Sequence, residues 1–320
     1  MTSPESVFSG NAIFAHAVPS AAKGSPAALA ALLKELGFDT YMPKIVDGQY
    51  VEALSWSPLY KSWGVNVKPE LVNELHRQGI KVVGFAAPYG GNPTAEAQIT
   101  AKVVNELGLD GIVFDIETTF ENKSNAVTNT HTMMTAFKKL CSAPVCYCSW
   151  ARFWSPTSGA NWHPVTVAKA WLQYADAGMP MAYWYSPGGP NEAVSMLEEA
   201  IRQWSQLTSK PLCVAGRAYN GDGGNALPSA VKAFAETARQ NSKVIGLSWW
   251  VLDQAVNMPE ILTALKQANT AGQPVVVDPD SSLLEQLIAL AARVAGCEGS
   301  ISALIDQIGI IRGGLKTASA

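Results

Sequence analysis

The chain has 320 residues, 48% hydrophobic and 15% charged, with a formal net charge of -3 at pH 7. A charged share below the usual ~25% fits a well-buried globular protein and excludes a disordered one. The absence of any dense Lys/Arg block argues against nucleic acid or an anionic membrane as partner, and no apolar run approaches the ~18 residues of a bilayer span.

The amino terminus, MTSPESVFSGNAIFAHAV, lacks a charged start followed by an apolar run. The expectation is therefore a protein made in the cytoplasm without a signal peptide, released by lysis or carried in a particle if its target lies outside. From residue 11, short apolar runs alternate with helical patterns. Strands are predicted over 12–18, 39–46, 81–88, 111–117, 144–149, 179–184, 211–218 and 244–251. Helices are predicted over 26–36, 69–78, 94–107, 125–140, 165–174, 191–207, 228–240 and 259–268. Pro26 and Pro69 suit a first helical position, and Asn191 suits a cap. Eight strand–helix units over roughly 260 residues match a (β/α)8 TIM barrel. The competing doubly wound sheet usually shows a Gly-rich turn after its first strand, and Ala15-His16-Ala17-Val18 offers none. The expected class is thus α/β, a TIM barrel over residues 1–270. Residues 271–282 read as a linker and 283–320 as a short helical hairpin. Leu283, Leu287, Leu290 and Val294, then Ile301, Leu304, Ile308 and Ile311, repeat at alternating threes and fours. Such stripes either pack on the barrel or serve self-association or docking through 283–313.

The stretch LDGIVFDIE at 109–117 ends on Asp115 and Glu117, two apart. On a strand they share a face, with Cα atoms roughly 6 to 7 Å apart. Like charges at that separation push one pKa upward, which supplies a general acid for glycosidic cleavage. A bare Asp-x-Glu is also what a strand running into an exposed acidic turn would show. Catalytic residues of such barrels come from the C-terminal strand ends. Those ends carry His16, Lys44 and Asp47, Tyr89, the Asp115–Glu117 pair, Trp150 and Arg152, then Tyr183 and Trp184. Strand seven contributes Arg217, Tyr219 and Asn220, and strand eight Trp249, Trp250 and Asp253. Eight of the ten tryptophans fall outside the predicted helices, all but Trp171 and Trp204, and flat indoles suit the C–H faces of sugars. The alternative is that they plug loops onto the barrel mouth.

With four histidines, of which His76 and His131 fall on helix faces, a multi-His metal centre is a poor prospect. Cys141, Cys146, Cys148, Cys213 and Cys297 read as buried, reduced thiols. Cys146 and Cys148 share a strand face but lack a second pair to complete a metal site. Neither a metal nor a cofactor is expected.

These segments resemble glycoside hydrolase family 18, the chitinases and endo-N-acetylglucosaminidases. The family's strand-four signature is apolar-Asp-Gly-apolar-Asp-apolar-Asp-x-Glu, and residues 109–117 match it except at Val113, where the family has an Asp. The family's Met-x-Tyr on strand six is Met181-Ala182-Tyr183 here, followed by Trp184 in place of Asp or Asn. Its strand-eight pattern is Gly246, Trp250 and Asp253. Family-25 lysozymes share the Asp-x-Glu pair and are the second choice. The resemblance implies a retaining glycosidase assisted by the substrate's own acetamido group, acting on β-1,4 bonds of chitin or peptidoglycan. It implies Glu117 as general acid, Asp115 as partner of the acetamido group, Tyr183 as donor to its oxygen, and Trp250 as floor. Trp184, Tyr89, Arg217, Tyr219 and Asp253 are further candidates for substrate contact, though some could merely hold loops. Val113 and Trp184 also leave open a barrel that binds glycans with little or no cleavage, as part of a larger, phage-like assembly.

Overall fold

The structure is a computed structural model that describes residues 3–16, 25–48, 67–185 and 189–270. The predicted linker and hairpin of 271–320 lie outside the described residues.

Eight parallel strands close into a barrel in chain order: β1 (Gly10–Ala15), β2 (Thr40–Asp47), β3 (Lys81–Ala87), β4 (Gly111–Asp115), β5 (Val145–Trp150), β6 (Ala177–Met181), β7 (Leu212–Arg217) and β8 (Val244–Trp250). Strand β1 pairs with both β2 and β8, so no edge remains open. The helices are α1 (Pro26–Glu35), α2 (Pro69–Arg77), α3 (Pro93–Leu107), α4 (Thr118–Glu121), α5 (Ala126–Leu140), α6 (Val165–Tyr174), α7 (Pro190–Leu207), α8 (Pro228–Gln240), α9 (Leu252–Ala255) and α10 (Pro259–Thr270). No described helix is long and apolar enough to cross a membrane.

Entry chemistry sets several helix starts. Proline opens α1, α2, α3, α7 and α8, where a missing N–H costs nothing. The Ser25 hydroxyl accepts from the Ala28 amide at 3.1 Å, and the Asn92 side chain accepts from Ala95 at 3.2 Å. Asn191 is not a cap: Pro190 takes the first helical position and Gly189 precedes it. Gly108 ends α3 in the left-handed region at φ 64°, a conformation glycine adopts without strain.

Alternation along the strands separates two apolar layers. Phe14, Met42, Val83, Phe85, Val113, Cys146, Cys148, Met179 and Cys213 fill the barrel interior. Their neighbours Ile13, Phe114, Tyr147, Val214 and Trp249 face outward onto the helices, where Phe137, Trp171, Trp204 and Phe234 pack. Gly216 permits one close approach: a Cβ there would meet Trp249 at 2.7 Å and Phe234 at 2.9 Å.

Two predicted strands run too far. Strand β6 stops at Met181, after which the Ala182 and Tyr183 amides turn back onto the Pro180 and Met181 carbonyls. Strand β4 stops at Asp115, and Glu117 precedes α4. The predicted first strand is displaced the other way: β1 begins at Gly10 and ends at Ala15.

Candidate active site

The inward positions continue past the strand ends and converge on one cavity. Asp115, Glu117, Trp150, Tyr183, Arg217 and Trp250 line it, and its volume is about 520 Å³, within the usual range for small-ligand sites.

Asp115 and Glu117 keep a common face although the strand has ended between them. The Ile116 amide donates to the Cys148 carbonyl at 2.9 Å, and its side chain is buried in the outer layer. Its two neighbours therefore turn inward. Beneath Asp115 lies Val113, whose Cα partners are Phe85 and Cys146, while Cys148 is the partner of Asp115 itself. Valine thus gives the carboxylate an apolar floor, and Asp115 Oδ1 is shielded with no hydrogen-bond partner among the described residues. Burial first, then the Glu117 charge, push the Asp115 pKa up to about 7; Lys44 and the Cys148 thiol oppose the rise. Glu117 is exposed within the concave mouth, and its carboxyl is also held above its ordinary value. Loss of solvation is again the largest cause, with Asp222 and Glu121 adding repulsion and Lys44 opposing. Lys44, inward on β2, donates to Asp47 Oδ2 at 3.0 Å.

Tyr183 meets Tyr219 edge-on at 5.8 Å. Burial and the neighbouring Cys148 and Asp115 push its hydroxyl well above the usual tyrosine range, so it stays a proton-bearing donor. The Trp250 ring rests on Phe14 at 5.4 Å and Phe85 at 5.6 Å, with the His16 ring at 6.2 Å. The peptide bond between Trp250 and Val251 is cis. Arg217 is fully buried, with its guanidinium 4.4 Å from the Tyr219 ring centroid. Its Nη1 donates to the Gly221 and Gly224 carbonyls at 2.5 and 3.1 Å. It therefore holds the loop after β7, which brings Asp222 to the cavity, where Asp222 accepts the Tyr219 hydroxyl at 2.7 Å. Arg217 and Tyr219 both line the cavity and hold this loop.

Three expected contacts lie elsewhere. Trp184 is wholly buried in the outer layer, packed on Phe234 at 5.5 Å and donating from Nε1 to the Asn225 carbonyl at 3.0 Å. In an extended chain it must face away from Tyr183, its immediate neighbour. Tyr89 does not line the cavity. Its loop is pinned by buried Glu96, which accepts the amides of Tyr89, Gly90, Gly91 and Asn92 at 2.9 to 3.1 Å. Asp253 begins the turn after β8 and accepts the His16 amide at 2.9 Å, tying β1 to β8 rather than lining the cavity. The tryptophans likewise divide: Trp150, Trp162 and Trp250 line the cavity, whereas Trp184 and Trp249 are buried in the outer layer.

One side of the site escaped sequence reasoning. The end of β5 and the loop after it bring Trp150, Arg152, Trp162 and His163 to the cavity. Glu121 binds this side together, accepting Trp150 Nε1 at 3.1 Å and bonding His163 Nδ1 at 2.7 Å. Trp150 and Arg152 were visible as strand-end residues. Nothing local, however, connects Glu121 to a histidine 42 positions away.

The fold has many solved relatives in shape. A chitinase from Bacteroides thetaiotaomicron superposes with a TM-score of 0.59 at 11% identity, covering 85% of this chain and 100% of that one. A family-18 chitinase from Pseudoalteromonas aurantia gives 0.56 at 15% identity, over 81% of this chain and 100% of the other. The spore cortex-lytic enzyme SleL of Bacillus megaterium QM B1551 gives 0.55 at 11%, over 82% and 74%. This is the fold of the family-18 chitinases. At such identities the likeness is one of fold alone. The sequence matches no family model and no curated protein.

Proposed function

We propose that the chain is a glycoside hydrolase cleaving β-1,4 bonds of an N-acetylhexosamine polymer, chitin or peptidoglycan. The observation that carries this reading is the convergence of two carboxyl groups of raised pKa, a tyrosine hydroxyl and an indole floor on one cavity at the C-terminal end of the barrel. Glu117, nearer the open mouth and held above its ordinary pKa, protonates the leaving glycosidic oxygen. Asp115 faces the acetamido group and orients it for attack on the anomeric carbon; once its proton is released, the carboxylate also stabilises the positive charge that develops there. Tyr183 donates to the acetamido oxygen, and Trp250 supports the reacting sugar. Val113 alters how Asp115 keeps its proton. Burial over an apolar floor takes the place of a neighbouring carboxylate, and the pKa of about 7 supports proton retention at weakly acidic pH.

Incubation with chitin oligosaccharides and with purified peptidoglycan, with products read by mass, tests the activity. Glu117→Gln keeps shape and removes the transferable proton, so turnover should fall by about 10²- to 10⁴-fold. Equal rates in parent and variant would sink the role of Glu117. Val113 also supports a second reading, a barrel that binds such glycans without cutting them. Saturable binding with no turnover by the parent protein would favour it.

A further inference from the structure

We infer that the side of the cavity built by the loop after β5 is a subsite for a sugar unit bearing a carboxylate, with Arg152 as its cationic anchor and Trp162 as its stacking face. The inference rests on the glycan reading above and selects, within it, anionic over neutral chains.

The loop is built rather than slack. Trp154 and Asn161 form an antiparallel bridge, and the Ser155 amide donates to Ala160 at 2.8 Å. Gln203 of α7, fully buried, accepts the Phe153 and Trp154 amides at 2.7 and 3.2 Å and returns a bond to the Trp154 carbonyl at 2.9 Å. The Trp162 and His163 amides close onto the Phe153 carbonyl at 2.8 and 3.1 Å. A polar side chain spent in the core to lock a surface loop implies that the loop's outward groups have a set position.

Those groups are chemically particular. The His163 ring stacks on Trp150 at 4.5 Å with planes 15° apart, and Glu121, only 8% exposed, holds both. Glu121's oxygens are thereby directed at its two donors. Beside this rigid wall the Arg152 guanidinium lies 5.1 Å from the centroid of the Trp162 ring, and Trp162 is 50% exposed. An exposed indole next to a guanidinium offers a flat face for a sugar ring and a fork of donors for a carboxylate at its edge.

Charge within the cavity separates in the same sense. Asp115, Glu117 and Asp222 gather toward β4 and the loop after β7, and Arg217 there is bonded to Gly221 and Gly224. Arg152 makes no hydrogen bond or salt bridge among the described residues. The carboxylate that its charge reaches, Glu199, is already paired with Arg202 at 2.6 and 2.7 Å. A carboxylate on the ligand would be repelled from the acidic side and received on this one.

The test is calorimetric binding to the full chain carrying Glu117→Gln, so that no ligand is consumed. Three tetrasaccharides serve as probes: chitotetraose, an alternating N-acetylglucosamine–N-acetylmuramic acid tetrasaccharide with free lactyl carboxylates, and the same compound with those carboxylates amidated. The carboxylate form should bind about tenfold more tightly than the other two, the scale of one charge-assisted hydrogen bond. Added salt should shrink that margin. Arg152→Gln should abolish the preference, and Arg152→Lys should keep part of it. Equal affinities for the carboxylate and amide forms would overturn the subsite, as would a preference that survives Arg152→Gln. Chitotetraose binding would then still stand for the broader glycan reading. Failure of all three probes to bind would overturn both.

Discussion

Asp115→Asn tests the energetic consequence of burying this carboxyl over Val113 and beside Glu117. Asparagine has the shape of a protonated aspartate and cannot ionise. The Asp115 carboxyl moves from an ordinary 3.8 to about 7 on folding. At 1.36 kcal/mol per unit, the native protein gives up about 4 kcal/mol of stability once both states are ionised. The sign follows from proton counts. Between the two pKa values the folded state holds a proton that the unfolded chain has released, so stability falls as pH rises through this window and levels off above 7. The asparagine variant lacks that loss. Its own packing cost does not change with pH, so the difference between two pH values is the clean measure. Urea unfolding followed by tryptophan fluorescence, at pH 4 and pH 8, should show the variant gaining about 4 kcal/mol on the parent between the lower and the higher pH. A gain below about 1 kcal/mol would refute the claim that burial holds the Asp115 proton. The same variant should lose turnover if Asp115 faces the acetamido group.

Two further outcomes are expected. Glu121→Ala leaves Trp150 Nε1 and His163 Nδ1 without their shared acceptor, which should cost about 1–3 kcal/mol by chemical denaturation. It also removes a charge that raises the Glu117 pKa, so the alkaline limb of the activity–pH profile should move to lower pH; an unmoved limb would contradict that coupling. Gly216→Ala places a Cβ 2.7 Å from Trp249 and 2.9 Å from Phe234. It should cost about 1–3 kcal/mol and lower the melting temperature by roughly 2–4 °C per kcal/mol, with the cavity lining left in place.

The architecture was legible in the chain because its signals are local. Apolar strands and a repeating strand–helix length recur eight times, with proline at several helix starts, and each is decided by neighbours within a few residues. The Asp115–Glu117 pair belongs to the same class: two positions two apart share a face whether or not the strand continues, so the pairing held although β4 ends at Asp115. Trp184 could have been placed correctly by the same rule. Adjacent residues of an extended segment face opposite ways, so Tyr183 and Trp184 could not both line the mouth, just as Trp249 turns outward and Trp250 inward.

What depended on tertiary structure was which strand-end residues meet. Asp253 ties to His16, 237 positions away, and Glu121 to His163, 42 positions away. No periodicity encodes such pairs, because they form only when barrel closure brings separate loops together. The raised pKa of Asp115 is of the same kind. The sequence places a valine two residues before it, but only the packing of Val113 between Phe85 and Cys146 turns that valine into a floor without water. Side-chain direction is a property of local backbone geometry and can be read along the chain; desolvation and distant partners are properties of the closed barrel, and exist only once it has formed.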